Sequence, residues 1–532
     1  MWGALAFAVL VVSTASVNND GFSWFKEVTS LPGWPLHEPF PSRMFSGFLN
    51  ISDSNAMPKV LTNATSMFMH YFLFESEGDP TTDPIVVWWN GGPGATSAWG
   101  LFVENGPFLL NDESLVSMNY SQTGIPQLVK NPFRWTKFAS IIAFCNPPPV
   151  GFSFCEPAGP TGNGTACGTW NDTRVAATNA EALLQLFVHH FPKFLRGNQK
   201  ILFMGESYAG VYIGETLQWM MARPKKYQQV LQHLDGVALG DACLGSDVLC
   251  GGNNGPYSWL MFFYGHGQVS TEIWEYVMSN CTNAELHQRI QTPHCKTAID
   301  VFTKAVGGYY TYNLYDQCAK DPFAPEERKL RPLRLSLEET IDPISRERSS
   351  GDVQIPLQNG YWCSGQVFFT YFDRQDVRTA IGVPLNSTFF NADNGEGMNY
   401  VYNSATVMPT IFSLIMNNDT VINGGKPVRV WAYDGDADPS VNVFVTQEVW
   451  WNFTKSHSLL KTSEWKSWVI ANNIVGGSVT EWIDGMFQFV TVRGSGHMVP
   501  EYKPAAAFVL ARQFVFGKPL PPYKLTSQRV RE

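Results

Sequence analysis

Residues 205–210 read Gly-Glu-Ser-Tyr-Ala-Gly, directly after the apolar run Ile201-Leu-Phe-Met204 and before Val211-Tyr-Ile-Gly-Glu-Thr-Leu217. A strand passes here through a turn of small residues straight into a helix. This arrangement lifts the Ser207 hydroxyl clear of a sheet and aims backbone N–H groups at whatever that hydroxyl attacks. Serine is a weak nucleophile near neutral pH, so the feature calls for a base and an acid to orient it.

Both occur downstream. Asp438 closes Tyr433-Asp-Gly-Asp-Ala-Asp438, after a strand-like stretch at 427–431. His497 lies in Gly494-Ser-Gly-His-Met-Val-Pro500, after another at 486–492. Ser, then Asp, then His is the chain order of α/β-hydrolases, unlike that of trypsin-like or subtilisin-like proteases. Asp434 and Asp436 compete for the acid's role. Distance past the strand favours Asp438, and the other two read as turn formers. A second block, Pro84-Ile-Val-Val-Trp-Trp-Asn-Gly-Gly-Pro-Gly94 followed by Glu104-Asn-Gly-Pro-Phe108, runs a strand into glycines that allow close backbone approach to a ligand. In a hydrolase of this order such a loop supplies one oxyanion-hole N–H, and Tyr208, after the nucleophile, supplies the other.

Strand candidates at 67–74, 84–89, 139–145 and 234–239 alternate with helical spacing at 171–194, which predicts a mostly parallel central sheet covered by helices on both faces. From Cys243 to Cys363 the character changes: six of the nine cysteines fall there and strands are scarce. Helical periodicity returns at 370–381. The expected organisation is a leader over 1–16, a first core segment over 17–242, an inserted cap over 243–364 and a second core segment over 365–532. Within the cap, the charged stretches 326–334 and 346–351 flank a polar loop, solvated by default, with proteolytic nicking into two disulfide-held chains as the sharper expectation.

Taken together these motifs resemble the serine carboxypeptidases: Asn90-Gly-Gly-Pro-Gly94, Glu104-Asn-Gly-Pro107, Pro149-Val-Gly-Phe-Ser-Phe154, Gly205-Glu-Ser-Tyr-Ala-Gly210, Gly435-Asp-Ala-Asp438 and Gly496-His-Met-Val-Pro500, in order along most of the chain. The resemblance implies Ser207 as nucleophile, His497 as general base and acid, and Asp438 as the group fixing its tautomer. It implies an oxyanion hole of the Gly92 and Tyr208 amides. It further implies that Asn90, the Gly91 amide and Glu206 hold the substrate's free C-terminal carboxylate, that Glu104 bonds into that network, and that Met498 walls the pocket of the departing residue. The rival readings are an acyltransferase of the same family, in which an alcohol replaces water, and a non-catalytic chaperone or binding protein on the same shell. The family usually continues Gly-Gly-Pro-Gly with Cys-Ser-Ser, where this chain has Ala95-Thr-Ser97. The cysteine missing there would leave its counterpart, Cys363, free or re-paired.

Composition and context agree with a secretory, glycosylated protein. Hydrophobic residues at 44% and aromatics at 14% fit a well-buried globular chain, and a net charge of −9 gives no electrostatic reason to bind nucleic acid. Residues 1–12 are a short apolar stretch leading to Ser13-Thr-Ala-Ser16, read as a cleaved leader rather than a membrane anchor. Glycosylation acceptors occur at Asn50, Asn63, Asn119, Asn163, Asn171, Asn280, Asn386, Asn418 and Asn452. Nine cysteines in that route imply several disulfides, with Cys281–Cys295 one expected pair and Cys145, in an apolar strand, the expected free thiol. The expected destination is an acidic lysosome- or vacuole-like compartment or the exterior, with peptide C-termini as partners and the choice between monomer and homodimer open. His294 beside Cys295 lacks zinc-ligand spacing, so no metal or cofactor is expected.

Overall fold

Continuous apolar runs become the middle of a twelve-stranded sheet. The computed structural model describes residues 24–52, 64–250, 255–288, 290–315 and 365–524. The sheet strands are β1 (Lys26–Val28), β2 (Met44–Asn50), β3 (Ser66–Phe74), β4 (Ile85–Trp89), β5 (Ser140–Phe144), β6 (Ile201–Glu206), β7 (Leu234–Gly240), β8 (Arg429–Gly435), β9 (Lys461–Val469), β10 (Val475–Trp482) and β11 (Phe487–Val492). Their order is β1-β2-β3-β5-β4-β6-β7-β8-β11-β10-β9, and the short strand Phe154–Glu156 pairs with β3 off this path. From β5 to β11 every pairing is parallel, whereas both flanks are antiparallel.

The parallel strands are buried on both faces, which explains why their sequences lack alternation. Ile85, Val87 and Trp89 of β4 join one core cluster, while Val86 and Trp88 join the other. In β6, Phe203 points to the first and Leu202 and Met204 to the second. Successive side chains of a strand point to opposite faces, so one run feeds two helical layers. Helix Asp172–Leu184 contributes Val175, Ala180 and Leu183 to one layer, and helix Pro504–Val515 contributes Leu510 and Phe514 to the other. Each such fully buried Val, Leu or Phe contributes about 1.5–3 kcal/mol relative to exposure.

Two expected helices are shorter than their periodicity. The 171–194 pattern yields a helix only over Asp172–Leu184, capped at its start by the Asn171 side chain accepting from the Arg174 N–H at 2.9 Å. It then loosens into a π turn, Gln185–His190, before Pro192, whose ring cannot continue an α-helix. The 370–381 pattern is two helices, Gly365–Phe372 and Gln375–Ile381. Arg374 sits between them with extended backbone, and Arg378 reaches back to cap Phe372 O at 3.0 Å.

Helices Tyr257–Gly265, Thr271–Asn280, Asn283–His287 and Pro293–Val306 have their own small apolar cluster, which includes Leu260, Phe263 and Phe302. The Cys281–Cys295 disulfide closes it. Cys155–Cys167 and Cys243–Cys250 are also paired, and Cys145 is free and buried. The expected leader, the nicking stretches, Asn63, Cys318 and Cys363 lie outside the described residues. Among those described, no helix is long and apolar enough to cross a membrane.

Candidate active site

Parallel register brings one edge of the sheet into line. Trp89 pairs with Gly205, Glu206 with Gly240, Gly240 with Tyr433, and Gly435 with Val492. The loops leaving these carboxyl ends carry Asn90, Ser207, Asp438 and His497. Ligand sites of open α/β sheets form at this edge.

Ser207 has φ = 61°, a left-handed conformation that costs free energy for any side chain. Hydrogen bonds on both sides hold it there: its N–H donates to Gly240 O at 2.9 Å, and its carbonyl accepts from Cys243 N at 2.9 Å and Gly210 N at 3.1 Å. The turn requires small neighbours. A Cβ on Gly91 would lie 2.4 Å from Tyr208 N and 2.7 Å from Ser207 Cβ. At Gly210 it would lie 2.1 Å from Cys243 O, which is backbone and cannot step aside. Gly210→Ala is therefore expected to lower folding stability by about 1–3 kcal/mol, read as a fall in Tm. An unchanged Tm would show that the elbow and the Cys243 loop are not packed as described.

Of the three clustered aspartates, Asp438 faces His497: Nδ1 and Oδ2 are 2.6 Å apart. The Asp438 carboxylate also accepts from Ser440 N at 2.7 Å and Val441 N at 3.1 Å. Asp434 instead accepts from the Thr446 hydroxyl, and Asp436 from Gly494 N at 2.5 Å. Burial alone would push the His497 imidazole down. The charge and hydrogen bond of Asp438 outweigh it and hold the imidazole above its ordinary value. Ser207 and His497 line one cleft, though among the described residues no hydrogen bond joins their side chains. Such contacts commonly tighten only when substrate binds. Among the described residues neither the Gly92 nor the Tyr208 N–H has a protein acceptor, so both are available to a ligand oxygen.

Beside Ser207 lies a buried trio. Asn90 Oδ1 accepts from Trp88 Nε1 at 2.9 Å and Gly100 N at 3.0 Å, groups that can only donate. The amide orientation is thereby fixed, and Nδ2 must face the acids. It donates to Glu104 Oε1 and Glu206 Oε1, each at 2.8 Å. Among the described residues no N–H or alcohol O–H donates to the second oxygen of either carboxyl. Burial raises both acids above the usual carboxylate range, and the Glu104 charge raises Glu206 further. Two such groups cannot both ionise cheaply, so the trio retains a proton and can donate it to an incoming carboxylate.

Met498 is buried and packs with Tyr310 and Tyr502. Tyr312 stacks on the His497 ring at 5.1 Å, accepts from His497 N through its carbonyl at 2.8 Å, and also lines the cleft. The sequence reading missed Tyr312, together with Trp99, Asp393 and Asp241 around the site. Asp241 follows β7 at the ligand edge and is completely buried. A carboxylate oxygen of Asp241, one of Asp438 and a ring nitrogen of His497 lie within 4.8 Å of one another. Its place one residue past a parallel strand was the signal available.

In place of a cysteine staple, side chains and backbone tie the Asn90 loop. Gly94 N donates to the Tyr212 hydroxyl at 3.0 Å, and Thr96 N to Asn391 Oδ1 at 2.8 Å. Among the expected glycosylation acceptors, Asn50, Asn119, Asn163, Asn386, Asn418 and Asn452 are exposed, and Asn171 and Asn280 are half-buried.

A serine turned outward after a central parallel strand, with its acid and imidazole on the loops of later strands, defines an α/β-hydrolase. The class can be narrowed: residues 32–517 match the family model described as serine carboxypeptidase, and the chain belongs to that family. It is 27% identical to the lysosomal protective protein of Mus musculus over 528 residues, 96% of this chain and 98% of the mouse protein. To serine carboxypeptidase 1 of Hordeum vulgare it is 26% identical, covering 93% of each chain. Among solved structures it is similar to a prohormone-processing carboxypeptidase from Saccharomyces cerevisiae, with a TM-score of 0.60 and 17% identity over 92% of this chain and 94% of the other. That last likeness speaks for the fold.

Proposed function

We propose that the chain is a serine carboxypeptidase that removes C-terminal residues from peptides through an acyl-enzyme on Ser207. His497 takes the Ser207 proton as the hydroxyl attacks the last peptide carbonyl, with Asp438 holding the imidazole proton on Nδ1. The developing oxyanion is received by the Gly92 and Tyr208 N–H groups. His497 then gives its proton to the departing amine, and water repeats the sequence on the ester. The observation that carries this reading is the Asn90–Glu104–Glu206 trio beside the nucleophile. A site for a neutral acyl group has no use for two buried acids, whereas a free carboxylate needs the proton they share.

Disulfides, exposed glycosylation acceptors and the mouse relative named for the lysosome support delivery through the secretory route to an acidic compartment or the exterior. The test is mass spectrometry of a peptide library incubated with the full chain near pH 5. Stepwise loss of residues from the carboxyl end is expected. Acyl exchange onto added alcohols without shortening would reassign the chain to the acyltransferases. No product together with no fluorophosphonate labelling of Ser207 would favour a binding protein.

A further inference from the structure

We propose that Asp393 selects peptides whose departing C-terminal residue is lysine or arginine, an inference that rests on the carboxypeptidase reading and extends it to substrate class. Asp393 lines the same cleft as Ser207 and His497. Its Oδ2 accepts from the Tyr312 hydroxyl at 2.6 Å and from Asn394 Nδ2 at 3.2 Å, and its Oδ1 accepts from Asn394 N at 2.9 Å. A carboxylate offers about four acceptor directions, so one remains, on Oδ1.

Among the described residues no lysine or arginine pairs with this group, and none lines the cleft. Its burial accordingly raises the carboxyl above its ordinary value. The nearby cation-forming group is the His497 imidazole, which Asp438 already holds, so a half-buried acid facing this substrate channel is matched by a cation that the substrate brings. The group cannot easily withdraw. Ala392 N donates to Gly94 O and Gly395 N to Pro93 O, each at 2.9 Å, which locks its loop to the Asn90–Gly94 turn.

Tyr312 settles which substrate residue is read. It packs against the cluster of Tyr310, Met498 and Tyr502, of which Met498 is the residue that the family resemblance puts at the departing residue's pocket, and its hydroxyl holds Asp393. One open acceptor direction cannot receive the two-pronged guanidinium fork, so lysine and arginine are accepted alike.

The experiment compares kcat/KM of the full chain and of Asp393→Asn on three peptides that differ only in a C-terminal leucine, lysine or arginine. The unaltered chain is expected to favour the basic peptides over the leucine peptide by about tenfold or more, as one charge-assisted contact provides. In Asp393→Asn that ratio is expected to fall towards one, since the amide still accepts from Tyr312 but carries no charge. An equal fall on all three peptides would mean that Asp393 only supports His497, and would overturn the proposal. A second measurement leaves Asp393 intact: the Ser207→Ala chain should bind the arginine-ended peptide at least about tenfold tighter than the leucine-ended one by fluorescence anisotropy. Equal binding would overturn it. Shortening of the leucine peptide at or above the rate of the basic ones sinks this inference alone, while shortening of none removes the carboxypeptidase reading as well.

Discussion

Asp438→Asn is expected to lower kcat on peptides about 10⁴-fold while leaving the fold in place. Among the described residues the fully buried carboxylate accepts from three donors: Ser440 N at 2.7 Å on Oδ1, and Val441 N at 3.1 Å and His497 Nδ1 at 2.6 Å on Oδ2. Asparagine offers one acceptor oxygen and one NH2, so one side must change. The shorter backbone bond, from Ser440, claims the oxygen, which turns the NH2 towards His497. The imidazole must then accept at Nδ1 and carry its proton on Nε2, the nitrogen that has to take the Ser207 proton. The accompanying unsatisfied Val441 N–H costs about 1–3 kcal/mol, so Tm falls modestly while turnover collapses. Rapid-quench measurement of acylation reads the effect directly. Asp434→Asn and Asp436→Asn serve as comparisons, since those carboxyls face Thr446 and Gly494 instead. A loss under about tenfold at Asp438, or an equal loss of acylation at Asp434, would remove Asp438 from the proposed mechanism.

The parts of this site that were legible in the sequence depend on local chemistry. The runs that became β4 and β6 could be read because strands buried on both faces are apolar throughout. Ser207 could be placed because only a tight small-residue turn joins such a strand to a helix. The order of Asp438 and His497 followed because each trails a strand of the same sheet. What stayed hidden depends on contacts between distant segments. Asp393 and Tyr312 meet across 81 residues, and neither stands in a motif. Asp241 reads as an ordinary turn residue until β7 and β8 pair and bring it against Asp438. The antiparallel flanks were invisible for a related reason: β2 and β3 are buried almost throughout, so they look like parallel strands in composition. Helix ends were overrun wherever the apolar spacing outlasted the backbone, as at Gln185 and Arg374.

KM for peptides with a free C-terminus is expected to rise with pH, by up to about tenfold per unit above the point where the Asn90-bridged acids give up their first proton. Burial sets that point. Glu104 is pushed up to about 7, chiefly by burial and against the pull of the Asn90 hydrogen bond, and burial and the Glu104 charge raise Glu206 well above the ordinary carboxylate range. Below that point the acids keep the proton that they can donate, and a substrate carboxylate arriving ionised finds it. Above it, a negative charge stands behind Asn90, and the third carboxylate is repelled. His497 acts in the opposite direction. Its value is raised above 6.5, so the neutral base is scarce in acid, and kcat should climb as pH rises through that value. The product of the two is a bell in kcat/KM for peptides. A matched substrate ending in an amide should show the rising kcat limb with a nearly flat KM, since it has no carboxylate to share the proton. Glu206→Gln separates the two causes. Glutamine still accepts from Asn90 Nδ2 and can donate to the substrate from its own NH2, but it cannot titrate at this position. Its KM should therefore vary less with pH on acid-ended peptides, with Glu104 alone of the pair left to titrate, while the kcat limb set by His497 persists. Identical KM profiles for acid-ended and amide-ended substrates would mean that the buried acids do not touch the C-terminus, and the site would then have to be read without an exopeptidase clamp.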